Sequence, residues 1–296
     1  MLIGWKNINP YGFDDLENYR AGFQSQIYIY RSLDLSPVEF FLNEATWIWG
    51  FDALYDYLGD IDTAFVAVTA AVVFLLSLYV VKRTGSFLTL LLFINPGFID
   101  MAVGQIRSGL AAGLFFTAIW IQNRWIKIAL IVLAASVHTS FILLGIFYLA
   151  FHLFSRVGPF DLTVTKPYLV MALIAAAAIV ITVFREVVLA SVGDERAFEV
   201  LSYQSRVFLS FGFLSFSISF LVLSKDKSVT FEAGFYLFTV VMALISALVG
   251  VYGSRFVSYG IPALAVMAAQ LPPERRFPIY LQYAAFSALY FYYWLI

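Results

Sequence analysis

Of 296 residues, 62% are hydrophobic and only 12% charged, and the mean hydropathy is +0.86, where a soluble domain carries about 25% charge. That excludes a water-soluble globule and leaves lipid as the solvent for most of the chain. A net charge of −1 offers nucleic acid no basic face, the absence of cysteine removes disulfide and thiolate chemistry, and two histidines, His138 and His152, are too few for a multi-histidine metal centre.

Charge divides the chain before any helix does. Ten of the 19 acidic residues lie in positions 1–62, where only Lys6, Arg20 and Arg31 oppose them, so this head carries about −7 and the rest about +6. The head lacks the basic start and apolar run of a signal peptide. Its Trp and Tyr residues, among them Trp5, Tyr19, Trp47 and Tyr55, suit a membrane interface. We therefore divide the chain into an acidic extracytoplasmic, interfacial segment over 1–62 and one integral transmembrane domain over 63–296.

Apolar runs follow at 63–81, 87–99, 106–121, 126–154, 167–190, 207–223, 229–251, 256–271 and 278–296. A helix needs about 20 residues to cross hydrocarbon. Asn95-Pro96-Gly97 should end or kink the second run. The run at 126–154 is long enough to reach roughly 44 Å as one helix, well past a core of about 30 Å. It is expected to fold as a re-entrant hairpin turning near 136–140, with His138 at its tip.

The basic loops agree. Lys82-Arg83 and Arg124/Lys127 belong on the inner side under the positive-inside rule. With a hairpin at 126–154, Arg156, Lys166, Lys225, Lys227, Arg275 and Arg276 also fall inside, and the acidic stretch 191–205 falls outside with the head. That orientation leaves the head with nothing ahead of it to carry it across, so either the first run inserts with its N-terminus outward or, the expectation preferred here, the natural chain has an earlier helix.

Several polar residues remain where lipid disfavours them. Arg107, in Gly104-Gln105-Ile106-Arg107-Ser108-Gly109, opens a span from the outer side. It either snorkels or pairs with Asp100, two helical turns earlier, or it binds an anionic ligand. Gly104, Gly109 and Gly113 permit close approach of a helix or a substrate. Arg255, with Tyr259 one turn on, and Arg206, beside Tyr203, occupy similar outer boundaries. Each reads as an anchor or as one wall of a basic chamber facing the acidic head, since arginine's planar fork suits phosphate and carboxylate. His138 reads as a buried neutral histidine or as a general base.

Asp100-Met-Ala-Val-Gly-Gln-Ile-Arg107-Ser-Gly-Leu-Ala111, followed by His138-Thr-Ser140, resembles the EpsG family of Wzy-like bacterial polysaccharide polymerases. That family's usual pattern is an arginine-glutamine-x-x-alanine helix start and then histidine-x-serine. Gly12-Phe-Asp-Asp15-Leu-Glu-Asn-Tyr19, Pro37-Val-Glu39-Phe-Phe-Leu42 and Ser254-Arg255…Tyr259 are similar to its other conserved stretches. The likeness covers roughly residues 11–270. Ser108 stands where the family usually has glutamine.

The resemblance implies an all-α, polytopic, glycosyltransferase-C-like enzyme of the bacterial inner membrane. It would join oligosaccharide repeat units carried on undecaprenyl diphosphate at the outer face, with the lipid diphosphate as leaving group and no metal or other cofactor. His138, or Asp15 or Asp14 of the head, would serve as base. Arg107, Arg255 and Arg206 would hold the diphosphate, with Gln105, Tyr19 and Tyr259 lining the substrate. The expected partners are the lipid-linked glycans, the bilayer, and the flippase and chain-length regulator of the same pathway. A transporter or flippase, or a non-catalytic subunit of an assembly complex, is the alternative reading.

Overall fold

Helix α4 (Ile61–Thr84) shows how the chain writes its own boundaries. Asp60 caps it, accepting from the Thr63 backbone N–H at 2.7 Å and the Thr63 hydroxyl at 2.6 Å. Gly85, at φ +68°, closes it by returning its N–H to the Val81 carbonyl. Between these caps, 24 residues give about 36 Å of helix.

The architecture comes from a computed structural model that describes residues 14–32, 36, 40–41, 44–154, 167–191, 207–224, 229–249 and 254–295. All regular structure among them is helical. The head supplies α1 (Asp14–Gln24), α2 (Ile27–Ser32) and α3 (Ala45–Leu58). After α4 come a 3-10 helix (Phe87–Phe93), the short α5 (Pro96–Ile99), a π turn (Asp100–Gly104), α6 (Ile106–Trp120), α7 (Arg124–Val137) and α8 (Ser140–Phe154). The chain finishes with α9 (Pro167–Ser191), α10 (Val207–Leu223), α11 (Phe231–Val249), α12 (Ser254–Gln270) and α13 (Pro273–Leu295).

Two described helices, Ile61–Thr84 and Phe231–Leu248, are each long and apolar enough to cross a membrane. A third candidate is the pair Phe87–Phe93 and Pro96–Gly104, broken by 87°. The expected break at Asn95-Pro96-Gly97 is therefore present. Asn95 makes it a structured corner, accepting from Gly97 N–H at 2.9 Å while donating to the Ser287 hydroxyl at 3.0 Å.

The run at 106–121 behaves differently from the full span expected of it. Helix α6 has 15 residues, about 23 Å, because Gln105 (ψ 50°) and Ile121 (ψ 134°) leave helical geometry at its two ends. It packs parallel to α4, with Phe116 against Tyr79 and Trp120 beside Lys82, whose Nζ lies 5.8 Å from the ring centre. Glycine makes that packing close. A Cβ on Gly109 would stand 2.6 Å from the Met101 carbonyl oxygen, and one on Gly113 3.1 Å from Leu75.

The run at 126–154 folds as two helices, as its length required. Asn123 caps α7 by accepting from Trp125 N–H at 3.0 Å, and α7 ends at Val137. His138 and Thr139 turn the chain, and α8 returns alongside, with Gly145 against Ile131 and Lys127 over the Tyr148 ring at 5.8 Å. The aromatic core lies between this hairpin and its neighbours: Phe115 and Phe116 of α6, Phe141 and Phe147 of α8, and Phe235 and Phe238 of α11.

The two ends of α4 are fixed differently. At its start Asp62 takes both terminal nitrogens of Arg20, at 3.1 and 2.5 Å, tying on α1. At its end Arg83 and Tyr79 converge on the buried Glu232 of α11, at 2.8 Å from Arg83 Nε and 3.1 Å from the Tyr79 hydroxyl, and Gln270 of α12 donates to the same carboxylate at 3.2 Å. Glu232 is fully buried while Arg83 stays partly exposed, and this shared carboxylate ties α4, α11 and α12 together.

Candidate functional site

The head reaches into the helical body. Tyr19, Phe23, Trp47 and Phe51 are buried and continuous with the core through Phe65 of α4. Their opposite helical faces stay exposed, at Tyr57 and Trp49 for example. Burying that aromatic stripe brings the head's carboxylates down to the starts of α6 and α12 and to the hairpin tip.

Glu44 is the centre of what results. Its side chain is 2% exposed. One oxygen pairs with Arg107 Nη1 at 2.5 Å. The other accepts from the Thr139 backbone N–H at 2.9 Å and the Thr139 hydroxyl at 3.1 Å, and stands 3.4 Å from His138 Nδ1. Glu44 occupies the N-cap position of α3 with φ +60°, ψ 29°, yet its carboxylate makes no cap hydrogen bond. The left-handed backbone costs a non-glycine residue roughly 1–2 kcal/mol, and such strain persists where the surroundings over-determine it. Here the side chain is spent on Arg107 and the hairpin tip.

Arg107 is braced on a second side by Tyr19, whose ring centre lies 5.5 Å from the guanidinium carbon. The pairing of Arg107 with Asp100 weighed from their spacing does not form. That spacing assumed a regular helix, but Asp100–Gly104 is a π turn and Gln105 is non-helical, so Asp100 instead accepts from Gln105 Nε2 at 2.5 Å. Gln105 is buried, and its own carbonyl oxygen has no partner.

Arg255 pairs with Asp15 of α1, both groups partly exposed. Tyr259, one turn along α12, is buried and sets its ring edge-on to His138, with centroids 6.4 Å apart. Tyr19 links the two arginine pairs, lying within electrostatic reach of Arg107, Glu44, Arg255 and Asp15 together. Burial pushes its hydroxyl up to about 12, with Arg107 pulling it down, so the phenol stays protonated at physiological pH.

His138 ends α7, and its orientation is set locally. The Ser140 N–H donates to Nδ1 at 3.2 Å. With Nδ1 unprotonated it accepts from Ser140; with Nδ1 protonated it faces Glu44. Ser140 thus fixes the ring and Glu44 supplies the neighbouring charge.

The expected residues Arg107, Arg255, His138, Tyr259, Tyr19, Gln105 and Asp15 thus gather around the head–body junction. Asp14 is the first residue of α1. Arg206 lies outside the described residues, as do Glu39, Arg156, Lys166, Lys225, Lys227 and the acidic stretch 192–205. No group of three or more His, Cys, Asp or Glu residues able to hold a metal ion occurs among the described residues. Glu44 is the residue sequence reasoning passed over. It stood as one of ten head acids, and neither its burial nor its positive φ has a sequence signal.

Chemically, the site sets two arginines, each holding a head carboxylate, beside a histidine and two tyrosines. Guanidinium groups that bind carboxylates bind phosphate oxygens by the same fork.

The chain matches the model of the EpsG family over residues 3–296. No curated protein matches it, and no solved structure does.

Proposed function

This chain belongs to the EpsG family, and on that premise we propose that it is a membrane polysaccharide polymerase acting on polyprenyl-diphosphate-linked oligosaccharide units. The observation that carries this reading is the convergence of Arg107, Arg255 and His138 at the junction of head and bundle. Polymerisation of such units needs two things at one place: positive charge on a departing diphosphate and a group that takes a proton from the attacking hydroxyl.

The acceptor's hydroxyl oxygen attacks the anomeric carbon of the growing chain, and a new carbon–oxygen bond forms. The bond from that carbon to the diphosphate breaks, and the lipid diphosphate leaves with the electron pair. Arg107 and Arg255 stabilise the charge that develops on it. His138 takes the hydroxyl proton. Asp15, once the diphosphate has replaced it on Arg255, is a second acceptor within the same cluster. Tyr19 stays protonated, keeps its ring against the Arg107 guanidinium and offers its hydroxyl as a donor.

The remaining assignments follow from this chemistry and from the charge pattern of the loops. The head and the site face the extracytoplasmic side of the inner membrane, and the Arg83–Glu232 end faces the cytoplasm. Undecaprenyl diphosphate is the carrier, its tail lying against the exposed apolar helix faces. In cells carrying Arg107→Ala or Arg255→Ala, protein should reach the membrane while polymer is lost and single lipid-linked repeats accumulate outside. Normal polymer from both strains would remove the catalytic reading, and repeats trapped on the inner leaflet would point to a flippase.

A further inference from the structure

We propose that Glu44 is a positioning residue of this site, acting through Arg107 and the hairpin tip; the inference rests on the polymerase reading above. Glu44 bonds to two elements beyond its own. Its carboxylate bridges the head, the start of α6 through Arg107 Nη1 at 2.5 Å, and the turn between α7 and α8 through Thr139 at 2.9 and 3.1 Å. The His138 ring stands at the same oxygen, 3.4 Å away.

The division of labour follows from geometry and charge. Thr139 supplies two donors to Oε1, so that oxygen is held whatever Arg107 does. Oε2 is committed to one Arg107 nitrogen, and the Tyr19 ring limits where the guanidinium can swing. A guanidinium has several donors in one plane. Fixing one of them to Glu44 leaves the others aimed at a second anion.

Glu44 also opposes that second anion. Its negative charge repels a diphosphate and shares Arg107 with it, which weakens ground-state binding. The benefit appears only when charge builds on the leaving group, because alignment matters most there. Removal of the charge at position 44 should therefore slow turnover without weakening substrate binding. Loss of a merely structural group does the reverse, lowering stability and affinity together.

The test uses the full-length protein in lipid nanodiscs, with undecaprenyl diphosphate as binding probe and an undecaprenyl-diphosphate-linked oligosaccharide as substrate. Glu44→Gln preserves shape and the Thr139 bonds on its oxygen, but it removes the charge and turns an N–H donor toward Arg107, so that bond is lost. It should lower kcat about a hundredfold, with Kd for the probe equal to or below that of the wild type. Glu44→Asp restores the charge on a shorter arm and should recover part of kcat, ranking above Glu44→Gln. The proposal is overturned if Glu44→Gln keeps kcat within threefold, if its Kd rises in step with the loss of kcat, or if Glu44→Gln ranks above Glu44→Asp. An Arg107→Ala protein that polymerises normally, or a wild type that binds the probe but makes no polymer, overturns the polymerase reading itself.

Discussion

Arg255, at the start of α12, holds the carboxylate of Asp15 from α1, so an arginine that the polymerase reading assigns to phosphate is occupied by the protein's own acid. The two side chains keep 21% and 31% of their surface exposed. A pair that open to solvent is worth about 1 kcal/mol or less, and an incoming diphosphate can displace it. The Asp15→Asn protein should fold normally and bind undecaprenyl diphosphate up to about fivefold more tightly at low salt. The gain should shrink as salt screens the charges. Titration of the probe at two ionic strengths checks this, and weaker binding by Asp15→Asn would count against the exchange.

The Gly109 contact predicts a packing defect. A Cβ at Gly109 meets the backbone oxygen of Met101 at 2.6 Å and Val72 at 3.0 Å, and a carbonyl in a π turn has little room to move. Gly109→Ala should lower stability by about 1–3 kcal/mol, read as a fall in Tm of the detergent-solubilised protein. Gly113→Ala, which meets only the Leu75 side chain at 3.1 Å, should cost less. Equal Tm values for Gly109→Ala and wild type would contradict this packing.

The hairpin can be locked covalently, because the chain has no cysteine of its own. Gly145 and Ile131 face each other between α8 and α7. A protein carrying Ile131→Cys and Gly145→Cys should form a disulfide on mild oxidation, seen as altered gel mobility. A single straight helix over 126–154 would keep the two thiols far apart and unlinked. A cysteine at position 160 tests the proposed orientation and should label from the cytoplasmic side.

Asp60 gives a pH dependence whose sign is fixed. Its bonds to the Thr63 hydroxyl and backbone N–H hold its carboxyl below the ordinary carboxylate range. A carboxyl lowered by folding contributes stability above its unfolded value, and that contribution is lost as pH falls through the depressed value. The first turn of α4 should therefore keep its hydrogen-exchange protection through mild acid and lose it only below the usual carboxylate range. In Asp60→Asn this acid-dependent loss should be absent.

What the sequence made legible here is what length and lone breakers control. The 126–154 run exceeded a bilayer thickness, so it had to turn, and the turn falls at His138–Thr139. Asn95-Pro96-Gly97 removed a helical donor at one point, and the chain bends there by 87°. The arginines at helix starts were conspicuous because lipid should have removed them.

Their partners were not legible. Asp100 suits Arg107 only if the helix is continuous, and a π turn has no sequence signature of its own. Glu44 meets Arg107 and the hairpin tip through burial and a left-handed backbone, both features of how α3 packs against the hairpin. Local sequence carries neither.

Reconstitution tests most directly whether this junction joins lipid-linked saccharide units. Purified protein in proteoliposomes, given an undecaprenyl-diphosphate-linked oligosaccharide, should produce a ladder of repeats with one lipid diphosphate released per bond. Arg107→Ala should leave only the starting unit. Passage of the lipid-linked unit across the bilayer with no ladder and no released diphosphate would contradict the account.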